Sequence, residues 1–185
     1  AARSPWPAVR DWACKLFDET APIAFDFTAA RARAFAAFGG HELLRRNPDH
    51  NIAQELLRLS GAQLMQLHGQ YSRADWDWFE PTLGYDNARL PEALIRAGRM
   101  LDDQAMIECG LKTFAWLIGQ QTSPRGAFRP VGCKSFGRPY APPLAFDQQP
   151  LEATATVDAA AAAHEASEDP RWARAAGCFR LVLRR

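Results

Sequence analysis

Apolar residues recur along most of the chain at the three- and four-residue spacing of amphipathic helices, whereas the strict alternation of a half-buried strand is nearly absent. The apolar side of the first predicted helix, for example, is formed by Val9, Trp12, Leu16 and Phe17. The pattern predicts an all-α protein with helices at about 7–18, 29–46, 50–70, from 87, 103–119, 151–167 and from 170 to the end.

Residues that favour helix ends support these boundaries. Thr28 is expected to cap the second helix through its hydroxyl. Pro91 and Pro150 belong in the first turns of the fourth and sixth helices, where a missing backbone N–H costs little. Gly39 and Gly40 lie inside the second helix, which is tolerable if a neighbouring helix packs close to them.

The predicted helices form pairs, with short connections on one side and long loops on the other, the longest at 121–149. Two similar loop-to-helix segments lie about sixty residues apart, which indicates an architectural repeat. Alternating inner and outer helices around an axis form an α/α toroid, and we expect residues 1–185 to belong to one such domain. An irregular helical bundle is the alternative, and an open solenoid fits unequal loops less well.

Two loops are unusually rich in aromatic rings, carboxylates and amides, and each leads directly into a helix. The first aromatic segment, residues 76–91, reads Trp-Asp-Trp-Phe-Glu-Pro-Thr-Leu-Gly-Tyr-Asp-Asn-Ala-Arg-Leu-Pro. The second aromatic segment, residues 146–152, reads Phe-Asp-Gln-Gln-Pro-Leu-Glu. Because sugar rings stack on aromatic faces and sugar hydroxyls bind carboxylates and amides, the two segments predict a carbohydrate ligand.

The carboxylates of these segments suit cleavage of a glycosidic bond, which needs an acid at the leaving oxygen and a base or nucleophile opposite. The candidate catalytic residues are Glu80, Asp86, Asp147 and Glu152. The candidate sugar-binding residues are Trp76, Trp78, Phe79, Tyr85, Asn87, Arg89, Phe146, Gln148 and Gln149.

Both segments precede helices on the long-loop side, so their residues are expected to line one depression, namely Trp78, Tyr85, Asp86, Asp147 and Glu152. Simpler structural roles compete with this interpretation. Asp86 or Asn87 could cap a helix, and the helix dipole alone favours Glu152 in a first turn.

Composition and residue spacing argue against several other classes of function. A net charge of +1 gives no electrostatic case for a nucleic-acid or membrane partner. The histidines lack metal-ligand spacing, and we expect neither a metal nor a cofactor. The scattered cysteines and the absence of an apolar leader favour reduced thiols in a cytoplasmic protein. Basic residues of the long loop alternate with aromatics and offer a rim for a charged or phosphorylated sugar, at Arg125, Phe128, Arg129, Lys134, Phe136, Arg138 and Tyr140.

A family resemblance rests on Trp-Phe-Glu-Pro-x-Leu-x-Tyr-Asp-Asn-Ala-Arg-Leu-Pro at 78–91 and on Phe-Asp-Gln-Gln-Pro-x-Glu-Ala at 146–153. Over about residues 28–180 the chain resembles the helical domain of bacterial proteins described as glycosyltransferases or as uncharacterised, which looks like a member of the six-hairpin glycosidase superfamily. The resemblance implies an (α/α)6 toroid and a glycoside hydrolase-like activity. A non-catalytic sugar-binding or scaffolding module serving a glycosyltransferase is the alternative, whereas an epimerase would need a histidine pair at the mouth.

The end of the chain departs from the pattern of that family, which continues into further motifs where this sequence stops at 180–185. We therefore expect an incomplete toroid whose last helix exposes apolar side chains, at Trp172, Phe179, Leu181, Val182 and Leu183. A two-fold homodimer that covers this open edge is the predicted assembly.

Overall fold

The computed structural model describes residues 4–175 of the chain, and helices dominate that range. Six α-helices have both ends described, and they are α1 (Pro7–Ala24), α2 (Ala30–Leu44), α3 (Asn51–Tyr71), α4 (Arg89–Leu101), α5 (Gln104–Gln120) and α6 (Pro150–Ser167). A 3-10 turn at Cys133–Ser135 lies in the long loop before α6, and residues 170–175 are also helical. The all-α fold class is therefore confirmed.

The helices pack in two rows. α4 lies between α2 and α6 and contacts both of them, while α2 and α6 do not meet within the described part of the chain. α3 packs on α2 and α4, α5 packs on α4 and α6, and α3 and α5 touch each other. α2, α4 and α6 therefore form one row and α3 and α5 the second, with α1 covering α2 and α3.

The three helices of the first row run parallel. Arg31, in the first turn of α2, hydrogen bonds to the loop just before α4. Arg89 pairs with Asp158 at 2.8 Å and Arg99 pairs with Glu165 at 2.9 Å, so α4 and α6 advance in the same direction. Successive hairpins of a toroid would produce such a row, but its closure into a ring stays a prediction.

Small residues allow neighbouring helices to approach closely. A Cβ added to Gly40 would lie 3.1 Å from the carbonyl oxygen of Ala53, so α3 packs against α2 at this glycine, as predicted. The small side chains of α6 fill its contact with α4, through Ala155, Ala159, Ala160, Ala162 and Ala163. Larger side chains of α4 complete the core opposite them, at Leu90, Leu94 and Ile95.

The predicted positions of two prolines in helix first turns are confirmed, whereas one predicted helix N-cap is wrong. Pro91 lies in the first turn of α4, and Pro150 opens α6. The prediction that Thr28 caps α2 is wrong, because the helix begins at Ala30 and the capping position is Ala29, which makes no side-chain cap hydrogen bond. Thr28 lies one residue too early for its hydroxyl to reach the first helical N–H groups.

The predicted apolar side of α1 is also wrong in most of its members. Trp12 is 60% exposed, and Val9 and Leu16 are exposed as well. The helix extends to Ala24 and contacts the rest of the fold through its later turns, where Ala21 and Ala24 are buried. The apolar packing of α1 on α2 and α3 is concentrated in these later turns, and among residues 4–175 no element covers the side chains of Val9 and Trp12.

Trp172 does not contribute to an open apolar edge. It is 3% exposed, and its ring lies 5.1 Å from that of Phe114 of α5. The other residues predicted to lie exposed on the last helix fall outside the described range, at Phe179, Leu181, Val182 and Leu183.

Candidate functional site

The two aromatic segments meet at the carboxylate of Glu152. This side chain is 2% exposed and accepts a short hydrogen bond from the backbone N–H of Asp86. The backbone N–H of Asn87 and its Nδ2 donate to the other carboxylate oxygen at 3.3 and 3.1 Å. The first turn of α6 is therefore tied to the loop that leads into α4, and the two predicted segments form one structural unit.

Asn87 connects this unit to α2. Its Oδ1 accepts hydrogen bonds from the N–H of Gly84 at 2.9 Å and from Arg31 at 3.1 Å, and its Nδ2 also donates to the Gly84 carbonyl at 2.6 Å. The same guanidinium donates to the Glu80 carboxylate and to the carbonyl of Tyr85, both at 2.5 Å. Arg31 therefore fixes the loop from 80 to 87 against the start of α2.

Arg31 was missed by sequence reasoning because nothing distinguishes it from Arg33 in the same turn of an alanine-rich helix. Gly84 gives the one sequence signal for its position. A Cβ at Gly84 would lie 2.7 Å from the Arg31 guanidinium, so only glycine leaves room for that close approach.

Each aromatic segment contains the same short motif, an aromatic residue followed by an aspartate and an amide. In Tyr85-Asp86-Asn87 and in Phe146-Asp147-Gln148 the aspartate has left-handed backbone geometry, with φ of 54° for Asp86 and 63° for Asp147. Non-glycine residues adopt this geometry uncommonly, and such residues concentrate at binding sites. Tyr85 is 51% and Phe146 is 79% exposed, so both motifs present a ring to solvent.

The three carboxylates of the unit differ in their electrostatics. Burial raises the pKa of Glu152, although hydrogen bonds from Asn87 and from the Asp86 N–H oppose the rise. Burial raises the pKa of Asp86 as well, against the nearby charges of Arg89 and Arg31. Glu80 instead forms an ion pair with Arg31 at 2.5 Å. The site therefore holds two buried carboxyl groups that retain protons more readily than ordinary ones.

Arg89, predicted to bind sugar, is held by other protein groups. Its guanidinium lies 3.4 Å from the Asp86 carboxylate and 2.8 Å from those of Glu92 and Asp158. Arg96 adds a second ion pair to Glu92 at 2.8 Å. The contact with Asp158 joins α4 to α6 behind the aromatic segments, so Arg89 has a structural role.

The prediction that Trp76, Trp78 and Phe79 stack on a ligand is wrong, because all three rings are buried in the core. Trp78 is 0% exposed and stacks on Trp116 of α5 at 5.6 Å between ring centroids. The indole N–H of Trp76 donates to the carbonyl of Glu80 at 2.8 Å. These rings fill the space between the loop and α5, so Trp78 does not line a depression with Asp86 and Glu152.

The second aromatic segment keeps its polar side chains in solvent. Asp147, Gln148 and Gln149 are exposed, and the Asp147 carboxylate lies 3.4 Å from the ammonium of Lys134. The backbone of this segment is fixed by the N–H of Cys133, which donates to the Asp147 carbonyl at 2.8 Å. Asp147 is therefore accessible to a ligand but makes no direct bond to the buried carboxylates.

Two cavities of the fold lie away from these residues. One of about 260 Å³ is at the opposite end of the parallel row, and its lining includes His41 and Arg96. The other, of about 340 Å³, is an apolar groove between α1, α2 and α3. Neither cavity is lined by a residue of the two aromatic segments.

The described residues, 4–175, also bear on metal, membrane and thiol chemistry. No cluster of three or more histidine, cysteine, aspartate or glutamate side chains there is arranged to hold a metal ion. No helix in that range combines the length and the apolar character needed to cross a membrane. Cys14, Cys109 and Cys133 are free thiols, and Cys178 lies outside the described residues.

No protein-family model, curated protein or solved structure matches the chain. Assignment of the site therefore depends on its own geometry, which combines a buried polar network with two solvent-exposed aromatic motifs.

Proposed function

We propose that this protein binds carbohydrate at a surface formed by Tyr85, Phe146, Asp147, Gln148 and Gln149, which we call the sugar surface. The observation that carries the proposal is the repetition of an exposed ring beside a left-handed aspartate and an amide. Exposed rings offer an apolar face to a sugar, while carboxylates and amides bind its hydroxyls. Glu152 joins the two motifs, so they would act on one ligand.

The buried network supports this function by fixing the position of the exposed groups before a ligand arrives. Arg31 binds the Tyr85 carbonyl, and its guanidinium lies 5.3 Å from the centre of the Tyr85 ring. Glu152 binds the next two backbone N–H groups. Preorganised side chains lose less conformational entropy on binding, which favours affinity.

The parallel row of α2, α4 and α6 also agrees with the toroid and with the resemblance to six-hairpin glycosidases, which remain part of the proposal. In that architecture the loops before the inner helices surround the ligand. Both aromatic segments precede helices of this row and lie at the same end of it.

Ligand titrations test the sugar surface directly. Manno- and gluco-oligosaccharides would be titrated into the protein by calorimetry, with Tyr85→Ala and Phe146→Ala as variants. Each substitution is expected to weaken binding by roughly five- to tenfold, since stacking of a sugar on one ring contributes about 1–1.4 kcal/mol. Phe35→Ala is the matched control, because Phe35 is also an exposed ring but lies on α2. Equal weakening in the control, or no binding by any oligosaccharide, would contradict the proposal.

A second candidate function, hydrolysis of the bound glycoside, is favoured by the raised pKa of Asp86 that burial causes. A carboxyl group whose pKa is raised retains its proton more readily and is better suited to protonate a leaving oxygen, and exposed Asp147 would act as base or nucleophile. Release of reducing ends from the same oligosaccharides measures this activity. Loss of turnover with retained binding in Asp147→Asn would support hydrolysis, whereas binding without turnover in the unsubstituted protein would leave binding as the function.

A further inference from the structure

A polar cavity of about 260 Å³ lies where α2, α4 and α6 approach their C-terminal ends. Cationic groups dominate its wall, which is formed by His41, Arg45, Arg96, Arg99, Met100 and Glu165. Along the axis of α4 this cavity is roughly 10–15 Å from the start of the helix, where the sugar surface begins. The cavity is therefore separate from the sugar surface.

Among the described residues, the hydrogen bonds of the three arginines use only part of their N–H donors. Arg96 donates from Nε to Glu92 at 2.8 Å, and Arg99 donates from one terminal nitrogen to Glu165 at 2.9 Å. Arg45 approaches Glu42 only to 3.6 Å. Since a guanidinium has five N–H groups, each arginine has further donors available to a ligand in the cavity.

His41 adds a titratable group to the same wall. It is 8% exposed, and burial lowers its pKa, with Arg96 acting in the same direction. Arg45 and Arg99 also lower the pKa of His41, Glu42 raises it, and Glu165 faces the cavity from α6. The three surrounding guanidinium groups therefore create a positive potential that opposes protonation of His41.

Stabilisation of helix ends explains part of this cluster, because cations near a helix C-terminus interact favourably with its dipole. That effect accounts for Arg45 and Arg99, which lie at the ends of α2 and α4 and are partly exposed. It does not account for Arg96, which is two turns into α4 and whose side chain is 20% exposed. It also leaves unexplained why a cavity remains between these cations.

We infer that this cavity binds the phosphate group of a small soluble molecule, which we call the phosphate cavity. Guanidinium groups match the oxygens of phosphate in geometry, and a dianion balances several converging cations better than a carboxylate does. His41 would donate a further hydrogen bond once the anion offsets the positive potential that opposes its protonation.

Nuclear magnetic resonance of the His41 ring tests the inference, with inorganic phosphate as the probe and sodium chloride at equal ionic strength as the reference. Phosphate is expected to give saturable shifts at His41 and at the Met100 methyl group, and to raise the pKa of His41. Chloride is expected to give only small, non-saturating shifts. Glucose 6-phosphate should bind in the same place, because the phosphate group is what the cavity recognises.

Two variants and a matched control complete the experiment. Arg99→Gln removes a partly exposed cavity charge, and Arg96→Lys keeps the charge but removes the planar donor fork, so each should weaken phosphate binding by roughly tenfold. Arg58→Gln makes the same charge change on α3, where Arg58 pairs with Glu55 away from the cavity, and should leave binding unchanged. Equal effects of phosphate and chloride, or equal weakening in Arg58→Gln, would overturn the inference. Oligosaccharide binding by the Arg99→Gln variant should be unaffected.

Discussion

Replacement of Glu152 by alanine removes the acceptor that joins the two aromatic segments. The substitution leaves three buried donors without a partner, which are the N–H groups of Asp86 and Asn87 and the Nδ2 group of Asn87. Each unsatisfied buried donor costs about 1–3 kcal/mol, and part of this is recovered if water enters the space. We therefore expect Glu152→Ala to lower the free energy of unfolding by about 3–5 kcal/mol.

Urea denaturation followed by tryptophan fluorescence measures this change. A loss of that size is a large part of the roughly 5–15 kcal/mol typical of a domain and would lower the melting temperature by about 6–20 °C. Thr154→Ala is the control, because Thr154 is an exposed residue of the same helix and its replacement should change stability by less than about 0.5 kcal/mol. If the free energy of unfolding of Glu152→Ala differed from that of the control by less than about 1 kcal/mol, the idea that Glu152 holds the two aromatic segments together would be refuted.

Glu152→Gln separates the contribution of the hydrogen bonds at Glu152 from that of its charge. An amide keeps one acceptor oxygen but presents its NH₂ to a backbone donor, so a loss of about 1–3 kcal/mol is expected. Burial raises the pKa of Glu152 in the folded protein. At pH values between the ordinary carboxyl pKa and this raised pKa, the folded protein therefore binds more protons than the unfolded chain. The contribution of Glu152 to stability therefore falls as pH rises through the raised pKa. The stability difference between the unsubstituted protein and Glu152→Gln should accordingly be larger at pH 4 than at pH 7, and a difference that grows with pH would contradict this sign.

Three further predictions concern single residues. Gly84→Ala should cost about 1–3 kcal/mol, because the new Cβ would displace the Arg31 guanidinium, and urea denaturation would detect it. Burial opposes ionisation of Asp77, but hydrogen bonds from His68 and from a lysine lower the pKa of Asp77 overall. Its contribution to stability is therefore present above the ordinary carboxyl pKa and lost as pH falls through the lowered one, so Asp77→Asn should destabilise the protein at pH 6 and less at pH 2 by thermal melting. Burial raises the pKa of Cys109 to about 11, and its alkylation by iodoacetamide at pH 8, followed by mass spectrometry, should be roughly a hundredfold slower than that of an ordinary thiol.

The helices were predictable because their periodicity is local. Pro91 and Pro150 mark first turns through the geometry of the pyrrolidine ring, which neighbouring residues do not alter. The exposed face of α1 could not be predicted, because Trp12 is apolar at the right spacing but is 60% exposed in the described part of the chain. Periodicity identifies an apolar side without saying whether another element covers that side.

The two aromatic segments could be recognised from the sequence, but the orientation of their residues could not. Polar and aromatic residues cluster before α4 and α6, and Glu152 joins the two segments; that they form a binding site stays a prediction. A loop has no fixed period, so its sequence does not tell whether Trp78 or Tyr85 faces the core. The structure buries the first and exposes the second. Arg31 was missed because its partners lie about fifty residues away in sequence.

The polar contacts of α6 have a consequence for the continuity of the chain. Glu152, Asp158 and Glu165, spaced about two turns apart, attach this helix along its length to α4 or to the loop before it. The covalent route from α5 to α6 instead passes through a long loop that is exposed at 124–127. A protease that cuts there would break the chain without removing a contact of α6. The two pieces would remain together through the contacts of α6 with α4 and α5 and of Trp172 with Phe114. Resistance to dissociation after cleavage would therefore report the combined strength of these non-covalent contacts.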